Sequence, residues 1–436
     1  MNYLLRALSS SLNIPSELRE DFRVKSSLIV VMFTIATILV VSSVFGRLYP
    51  FLSLGIGICS IVIFYLHYDL DTAATWGLAQ LVILSTFYRT YSFLYSYGFS
   101  GTDVNRYAFY ISRLAKVGSI TVIDIDFYNS APLYFVFNSM TTLITGSGAR
   151  ISLVSVPILI GIVFPVIAFV IGRIFYHGDE RVGLIASALT VVAPRSVWLS
   201  WNPIPQSISD SILAVTVFLL ILYLYKPNIR TAGPIGILFF AMLLTHKISA
   251  AILVSGLVAT LVIFLVQRQS KLATPTLKVS LILTAGLFLQ LILTGLDDLL
   301  NSKLTILLSG LARTPRQPLI SPAAAVPPEP AGFLRVLWAI GYWVPLFLLA
   351  GIGWLLILYS KREAHNVRII LGLVSIGMAV LLTAYARIIP VRAPRFMFLL
   401  IPFLGSLVGV TLIRIRACSK GTRGLRTVVV AILLIT

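Results

Sequence analysis

Acidic residues, cysteine and the common catalytic motifs are all scarce in this sequence of 436 residues. Asp and Glu together number 15 against 34 Lys and Arg, and the two cysteines, Cys59 and Cys418, do not form a disulfide framework. The chain contains no GxxxxGKS or GxxxxGKT phosphate loop, no HExxH pair and no GxSxG turn. The sequence therefore gives no support to ATP-driven transport by this chain, to zinc hydrolase chemistry or to serine hydrolase chemistry.

Long apolar runs dominate the sequence instead. It is 58% hydrophobic and 11% charged, and many runs approach the ~20 residues that a helix needs to cross a bilayer. We predict an all-α, polytopic integral membrane protein with roughly 12–13 transmembrane helices in one membrane-embedded domain. The runs lie near 28–46, 50–67, 74–97, 150–171, 183–200, 206–225, 233–245, 248–266, 275–294, 335–359, 367–386 and 396–412, and another begins near 427.

The distribution of Lys and Arg predicts the orientation in the membrane. Basic residues favour the cytoplasmic side, and the basic segment 413–426 is best placed there together with the amino terminus. Residues 98–149 and 295–334 then become two large extracytoplasmic loops, the second of them proline-rich and flexible. The apolar segment 131–146 is short, so we expect an interfacial or re-entrant helix. The cytoplasmic loops are too short to hold a nucleotide-binding domain.

The segment GTDVNRYAFYISRLAKVGSI, residues 101–120, carries charge between two apolar stretches. Three- and four-residue spacing predicts one helical face shared by Asp103, Arg106, Tyr107, Tyr110 and Arg113. One interpretation is that Asp103 merely stabilises the start of an interfacial helix. The other is that its carboxylate acts as a general base toward an acceptor hydroxyl or amine.

Asp124 and Asp126 lie in the same predicted outer loop, in the stretch VIDIDFYNSAPLY. Carboxylate oxygens suit hard divalent cations, so an Asp-x-Asp pair is a candidate site for Mg²⁺ or Mn²⁺. Asp103 is a third candidate ligand. The ordinary alternative is that these are solvated loop acids without a metal.

Basic residues on the predicted outer side form a further signal. The segment ARIIPVRAPRF places Arg387, Arg392 and Arg395 between two spans, and Lys247 falls on the same side. A positive-inside distribution would deplete such positions, and arginine forks suit phosphate oxygens. Binding of a lipid phosphate explains these residues, and so does contact with anionic headgroups without catalysis.

In their order along the chain, these motifs resemble those of the GT-C membrane glycosyltransferases. The likeness covers roughly residues 95–412 and is strongest to the branch of protein O-mannosyltransferases and lipid A aminoarabinose transferases. The acidic element at Asp103, the stretch APLYF, the stretch AMLLTHK and the stretch APRFMFLLIPFL are similar to motifs of that branch, whereas Val104 stands where the branch has a second acid. The residues carried over or placed beside these motifs are Asp103 as catalytic base and, for substrate binding, Arg106, Tyr107, Asp124, Asp126, Tyr128, Lys247, Arg387, Arg392 and Arg395.

The resemblance implies transfer of a sugar from a polyprenyl-phosphate donor, dolichyl or undecaprenyl, to an acceptor on the extracytoplasmic face of the cell membrane. The acceptor would be a protein, a lipid or a glycan, and the other expected partners are membrane lipids rather than nucleic acid. Two alternatives stay open: a flippase or transporter of lipid-linked sugars, and a polymerase or ligase of surface polysaccharides. A transporter would need functional charges inside the membrane, for which Arg89 is the clearest candidate in the sequence.

Overall fold

A computed structural model describes most of the central part of the chain. Regular structure in this part consists of helices, and none of the described residues belongs to a strand. The described residues are 73–95, 102–176, 178–266, 268–294, 345–357 and 401–418, with isolated positions between 35 and 62. The predicted outer loop 295–334 and the arginines at 387, 392 and 395 lie outside them.

The helices between residues 102 and 152 have 4–16 residues, and the helices of 20 or more residues lie outside this segment. In chain order, the described α-helices are α1 (Ala73–Tyr95), α2 (Thr102–Val117), α3 (Asp126–Asn129), α4 (Leu133–Thr145), α5 (Ala149–Ser152), α6 (Ser155–Phe175), α7 (Glu180–Val192), α8 (Pro194–Trp201), α9 (Pro205–Tyr225), α10 (Ile229–Thr245), α11 (Lys247–Val266), α12 (Ser270–Leu293), α13 (Pro345–Ile357) and α14 (Ile401–Cys418). A 3₁₀ turn, Ile120–Val122, follows α2.

Four of the described helices are long and apolar enough to cross a membrane: α6 together with α5, then α9, α11 and α12. Helix α12 leaves large apolar side chains at the surface, with Leu281 62% and Ile282 69% exposed. Such a surface suits hydrocarbon rather than water. In its described part the chain is therefore an all-helical membrane protein.

Helix α6 lies at the centre of the packing, against α1, α7, α9 and α14. Glycine allows the closest of these approaches. A Cβ atom added to Gly161 would lie 2.7 Å from the Cα atom of Thr86 on α1, and one added to Gly172 would lie 2.8 Å from the Cα atom of Gly183 on α7. The backbones of three helices therefore touch directly, as small residues permit in membrane bundles.

The apolar run 183–200 does not form the single span that hydropathy predicts. It is divided into α7, of 13 residues, and α8, of 8 residues. Ala193 has φ −53° and ψ 115°, outside the helical region, because the following Pro194 disfavours a helical conformation in the residue before it. The prediction of one helix here is wrong.

Arg89 of α1 is completely buried and forms hydrogen bonds with the end of α7. Its guanidinium donates to the carbonyl oxygens of Val191, at 3.2 Å, and Thr190, at 3.5 Å. These carbonyls belong to the last turn of α7, where no intrahelical donor remains for them. Arg89 therefore stabilises a helix end inside the bundle.

Candidate functional site

The predicted helix at residues 101–120 is present as α2. Its charged residues and tyrosines recur every three or four positions, and Arg106 contacts Tyr110 one turn along, as that spacing predicts. These residues differ in burial, since Tyr107 and Tyr110 are buried in the core whereas Asp103, Arg106 and Arg113 are exposed. The tyrosines therefore lie at the inner edge of this face, where their rings pack against the core.

Asp103 lies in the first turn of α2 with its side chain exposed. Its carboxylate has no hydrogen bond or ion pair with any other residue of the described part of the chain. An acid in the first turn is favourable for the helix dipole. Among the described residues, nothing occupies its carboxylate oxygens, which are therefore available to a ligand.

Arg106 binds Asp124 rather than Asp103. Its terminal nitrogen lies 3.2 Å from Oδ1 of Asp124, and its Nε donates to the hydroxyl of Tyr110 at 3.0 Å. The Tyr110 hydroxyl also donates to the same carboxylate oxygen. These three side chains tie the segment after α2 back onto the helix. Both ends of the ion pair are more than half exposed, so its contribution to stability is small.

An aromatic cluster joins the buried side of α2 to α3 and α4. The rings of Tyr107, Tyr128, Tyr134 and Phe135 meet edge to face, with centroids 5.2–6.0 Å apart. The hydroxyls of Tyr107 and Tyr128 share a hydrogen bond of 3.0 Å. Burial, reinforced by Tyr128, raises the pKa of Tyr107, so its hydroxyl stays neutral at physiological pH.

The segment of residues 102–152 is joined to the helix bundle and is also held together internally. The hydroxyl of Tyr134 donates to the carbonyl of Pro203 at 2.6 Å, just before α9 begins. Ser139 of α4 donates to the carbonyl of Ile111 of α2 at 3.0 Å. The segment is thus a packed part of the fold, held at the end of the bundle where α6 and α9 begin.

Lys247, the first residue of α11, reaches this segment from the bundle. It is 4% exposed, and its ammonium group donates to the hydroxyls of Ser130, at 2.5 Å, and Thr294, at 3.3 Å. The ammonium nitrogen also lies 5.7 Å from the ring centre of Phe127. No carboxylate among the described residues forms an ion pair with it. Among the residues that the structure describes, the contacts of this cation are therefore with neutral groups.

A second polar cluster lies deeper in the bundle, at Asp210, Ser249 and His246. Asp210 of α9 is completely buried, and its Oδ1 accepts a hydrogen bond of 3.0 Å from the Ser249 hydroxyl. Because that hydroxyl donates its only proton to Asp210, the Nδ1 of His246, 3.1 Å away, must donate to it. The ring of His246 meets that of Phe127 at 5.9 Å, next to Lys247.

Sequence reasoning missed Asp210, although a signal was present. It is a single acid within the apolar run 206–225, and acids inside spans are rare enough to mark a functional or structural site. Its proximity to Ser249 and His246 could not be read from the sequence, because these residues lie on another helix.

A metal site has limited support from the described side chains. No group of three or more His, Cys, Asp or Glu side chains comes together among the described residues. Asp124 is occupied by Arg106 and Tyr110. Asp126 begins α3, and its side chain lies outside the described part of the structure.

Comparisons of the chain with protein-family models, curated proteins and solved structures find no match. Function is therefore inferred from the side chains of this site and from the sequence motifs.

Proposed function

We propose that the protein is a membrane-embedded glycosyltransferase of the GT-C type. It transfers a sugar from a polyprenyl-phosphate donor to an acceptor on the extracytoplasmic face of the cell membrane. In this proposal the amino terminus is cytoplasmic, residues 98–149 and 295–334 are extracytoplasmic, and roughly 12–13 helices cross the bilayer.

The observation that carries the proposal is the environment of Lys247. The residue is 4% exposed, and its ammonium group contacts hydroxyls, with no carboxylate bound to it among the described residues. A buried cation without a counter-ion is costly, and an anionic ligand removes that cost. The phosphate of a donor bound beside Lys247 and residues 102–149 supplies such an anion. The arginines at 387, 392 and 395 are proposed to bind the same phosphate group.

Asp103 is proposed as the general base. Its carboxylate accepts the proton of an acceptor hydroxyl or amine while that oxygen or nitrogen bonds to the anomeric carbon of the donor. The bond from this carbon to the phosphate oxygen breaks, and the polyprenyl phosphate leaves with the electron pair. Lys247 stabilises the negative charge that grows on the leaving phosphate. Arg106 and Asp124 hold the segment beside the reacting groups. A Mg²⁺ or Mn²⁺ ion would be held by Asp103, Asp124 and Asp126, and at Asp124 it would have to replace the contact with Arg106.

The experiment measures sugar release from a synthetic polyprenyl-phosphate donor by the purified protein in detergent, for the wild type and for Asp103→Asn. General-base help is typically worth about 10²–10⁴-fold, so turnover should fall by that factor while donor binding is retained. Asn at this first-turn position loses only the dipole contribution of the acid, about 0.3–1 kcal/mol, so a purely stabilising Asp103 would tolerate the change without loss of turnover.

Asp179→Asn is a control for the loss of a carboxylate at another helix start, because Asp179 caps α7 through a hydrogen bond from the Arg181 backbone at 2.9 Å. It also forms an ion pair of 2.9 Å with the Arg181 side chain, so this control should lose some stability but no turnover. Asp103→Asn should unfold at nearly the wild-type temperature. Normal turnover by Asp103→Asn would show that Asp103 is not the general base and that it only stabilises the start of α2.

A flippase or transporter of lipid-linked sugars is the second candidate, and Asp210 is the observation that favours it. A buried carboxylate linked to a histidine through Ser249 is the kind of polar element that transporters place inside the membrane. The two functions separate in liposomes. A transporter moves labelled lipid-linked sugar between leaflets without an acceptor, whereas the transferase leaves the donor in place until an acceptor is added.

A further inference from the structure

A cleft opens at the end of the bundle opposite Lys247. It lies between the last turns of α6 and α9 and has a volume of about 540 Å³. Both helices begin near the 102–152 segment and end at this cleft, so it is separate from the candidate active site. Its lining residues are Val170, Arg173, Ile174, Gly178, Ile221, Leu222 and Lys226.

Among the described lining residues, most are apolar and the two charged ones are basic. Ile221 is buried and Leu222 is 38% exposed, so the apolar wall extends outward to the surface of the bundle. Arg173 and Lys226 are exposed at the mouth. The closing turns of helices attract cations, which accounts for each basic residue singly. It does not account for an Arg and a Lys on two helices that line one apolar cleft.

Glu180 offsets the positive charge of Arg173 and Lys226 only weakly. Glu180 forms an ion pair of 3.4 Å with Arg173, whose side chain is 44% exposed. The Lys226 side chain has no ion pair with any residue of the described chain. Exposed pairs are worth little, so the Arg173 guanidinium can exchange Glu180 for a stronger anion such as a phosphate.

We propose that this cleft binds an anionic phospholipid, with its phosphate held by Arg173 and Lys226 and an acyl chain along Ile221 and Leu222. The ligand class follows from the pairing of two cations with an apolar wall at the end of helices long enough to span the membrane. The site is independent of the proposed sugar transfer, and in the proposed topology it faces the cytoplasmic leaflet.

Native mass spectrometry of the purified full chain tests the proposal, by titration with phosphatidylglycerol, phosphatidylcholine and inorganic phosphate. Each basic residue near a lipid phosphate contributes a similar favourable electrostatic energy to lipid binding. Loss of both contributions in the double variant Arg173→Gln with Lys226→Gln should weaken phosphatidylglycerol binding about 30-fold. Phosphatidylcholine binding should be weak and unchanged. The matched control is Arg268→Gln with Lys271→Gln, two exposed basic residues at the same end of the bundle but outside the cleft.

A variant that should strengthen lipid binding tests the proposal even if the double variant folds poorly. Glu180→Gln removes the acid that competes for Arg173, so it should tighten phosphatidylglycerol binding. Equal losses in the cleft and control variants would overturn the proposal, since they would report only net charge. So would displacement of the lipid by millimolar inorganic phosphate, because the apolar wall would then contribute nothing.

Discussion

Replacing Lys247 by methionine tests whether this buried cation serves a phosphate. The substitution keeps a long flexible side chain at a position that is 4% exposed, and it removes the charge together with the hydrogen bonds to Ser130 and Thr294. Methionine fills irregular apolar space well, so the packing around Phe127 should be retained.

The expected effects on donor affinity and on stability differ in size. A charge-assisted hydrogen bond contributes about 1.5–3 kcal/mol, so donor affinity should fall roughly tenfold to 150-fold. Stability without donor should change by less than about 1 kcal/mol, because the lost hydrogen bonds are offset by the removal of a poorly compensated buried charge. Lys247→Arg should restore donor binding only in part, since its larger fork does not fit the same two hydroxyls.

Donor affinity can be measured in nanodiscs with a short-chain polyprenyl-phosphate sugar, and with the matching polyprenyl glycoside that lacks the phosphate. Lys247→Met should lose affinity for the phosphate compound alone. Lys278→Met, at an exposed position of α12, is the control for the loss of one positive charge. Unchanged donor affinity in a folded Lys247→Met variant would refute a phosphate role. A loss of several kcal/mol of stability without donor would show that the lysine is a structural tie instead.

Three further predictions concern the rest of the site. Asp210→Ala should lower the free energy of unfolding by about 1–3 kcal/mol, measured by denaturation in detergent, because it leaves the buried Ser249 hydroxyl without its acceptor; a change within 0.5 kcal/mol would contradict this. A double-mutant cycle of Arg106→Gln and Asp124→Asn should give a coupling of no more than about 1 kcal/mol, since the pair is exposed, and a larger value would show a more rigid cluster. In a background without native cysteines, Thr121→Cys should react with an impermeant reagent on intact cells and Lys271→Cys only after lysis; the reverse pattern would invert the proposed topology.

The sequence predicted the location of the long helices well, because hydropathy over ~20 residues is a strong signal. The runs 206–225 and 248–266 correspond to Pro205–Tyr225 and Lys247–Val266 within one residue at each end. Hydropathy failed at 183–200 because a break in the backbone does not change the apolar character of a run. Pro194 was the available signal, since the residue before a proline is pushed away from helical dihedrals.

The candidate site was predictable only in part. Spacing placed Asp103 and Arg106 on a helix, but it could not reveal that Arg106 binds Asp124, 18 residues later. Nor could it show that Lys247 reaches Ser130, a contact that joins two elements 117 residues apart. Such contacts depend on how helices pack, which the periodicity of one segment does not encode.

The glycine contacts of α6 restrict how this molecule can move. Where the backbones of α6 and α7 touch at Gly172 and Gly183, a rotation that brings a larger side chain into the contact meets backbone atoms. Helix α10 differs, since Gly233 and Gly236 have open space around them. Among the described helices, amide hydrogen exchange should therefore be faster in α10 than along α6 and α7.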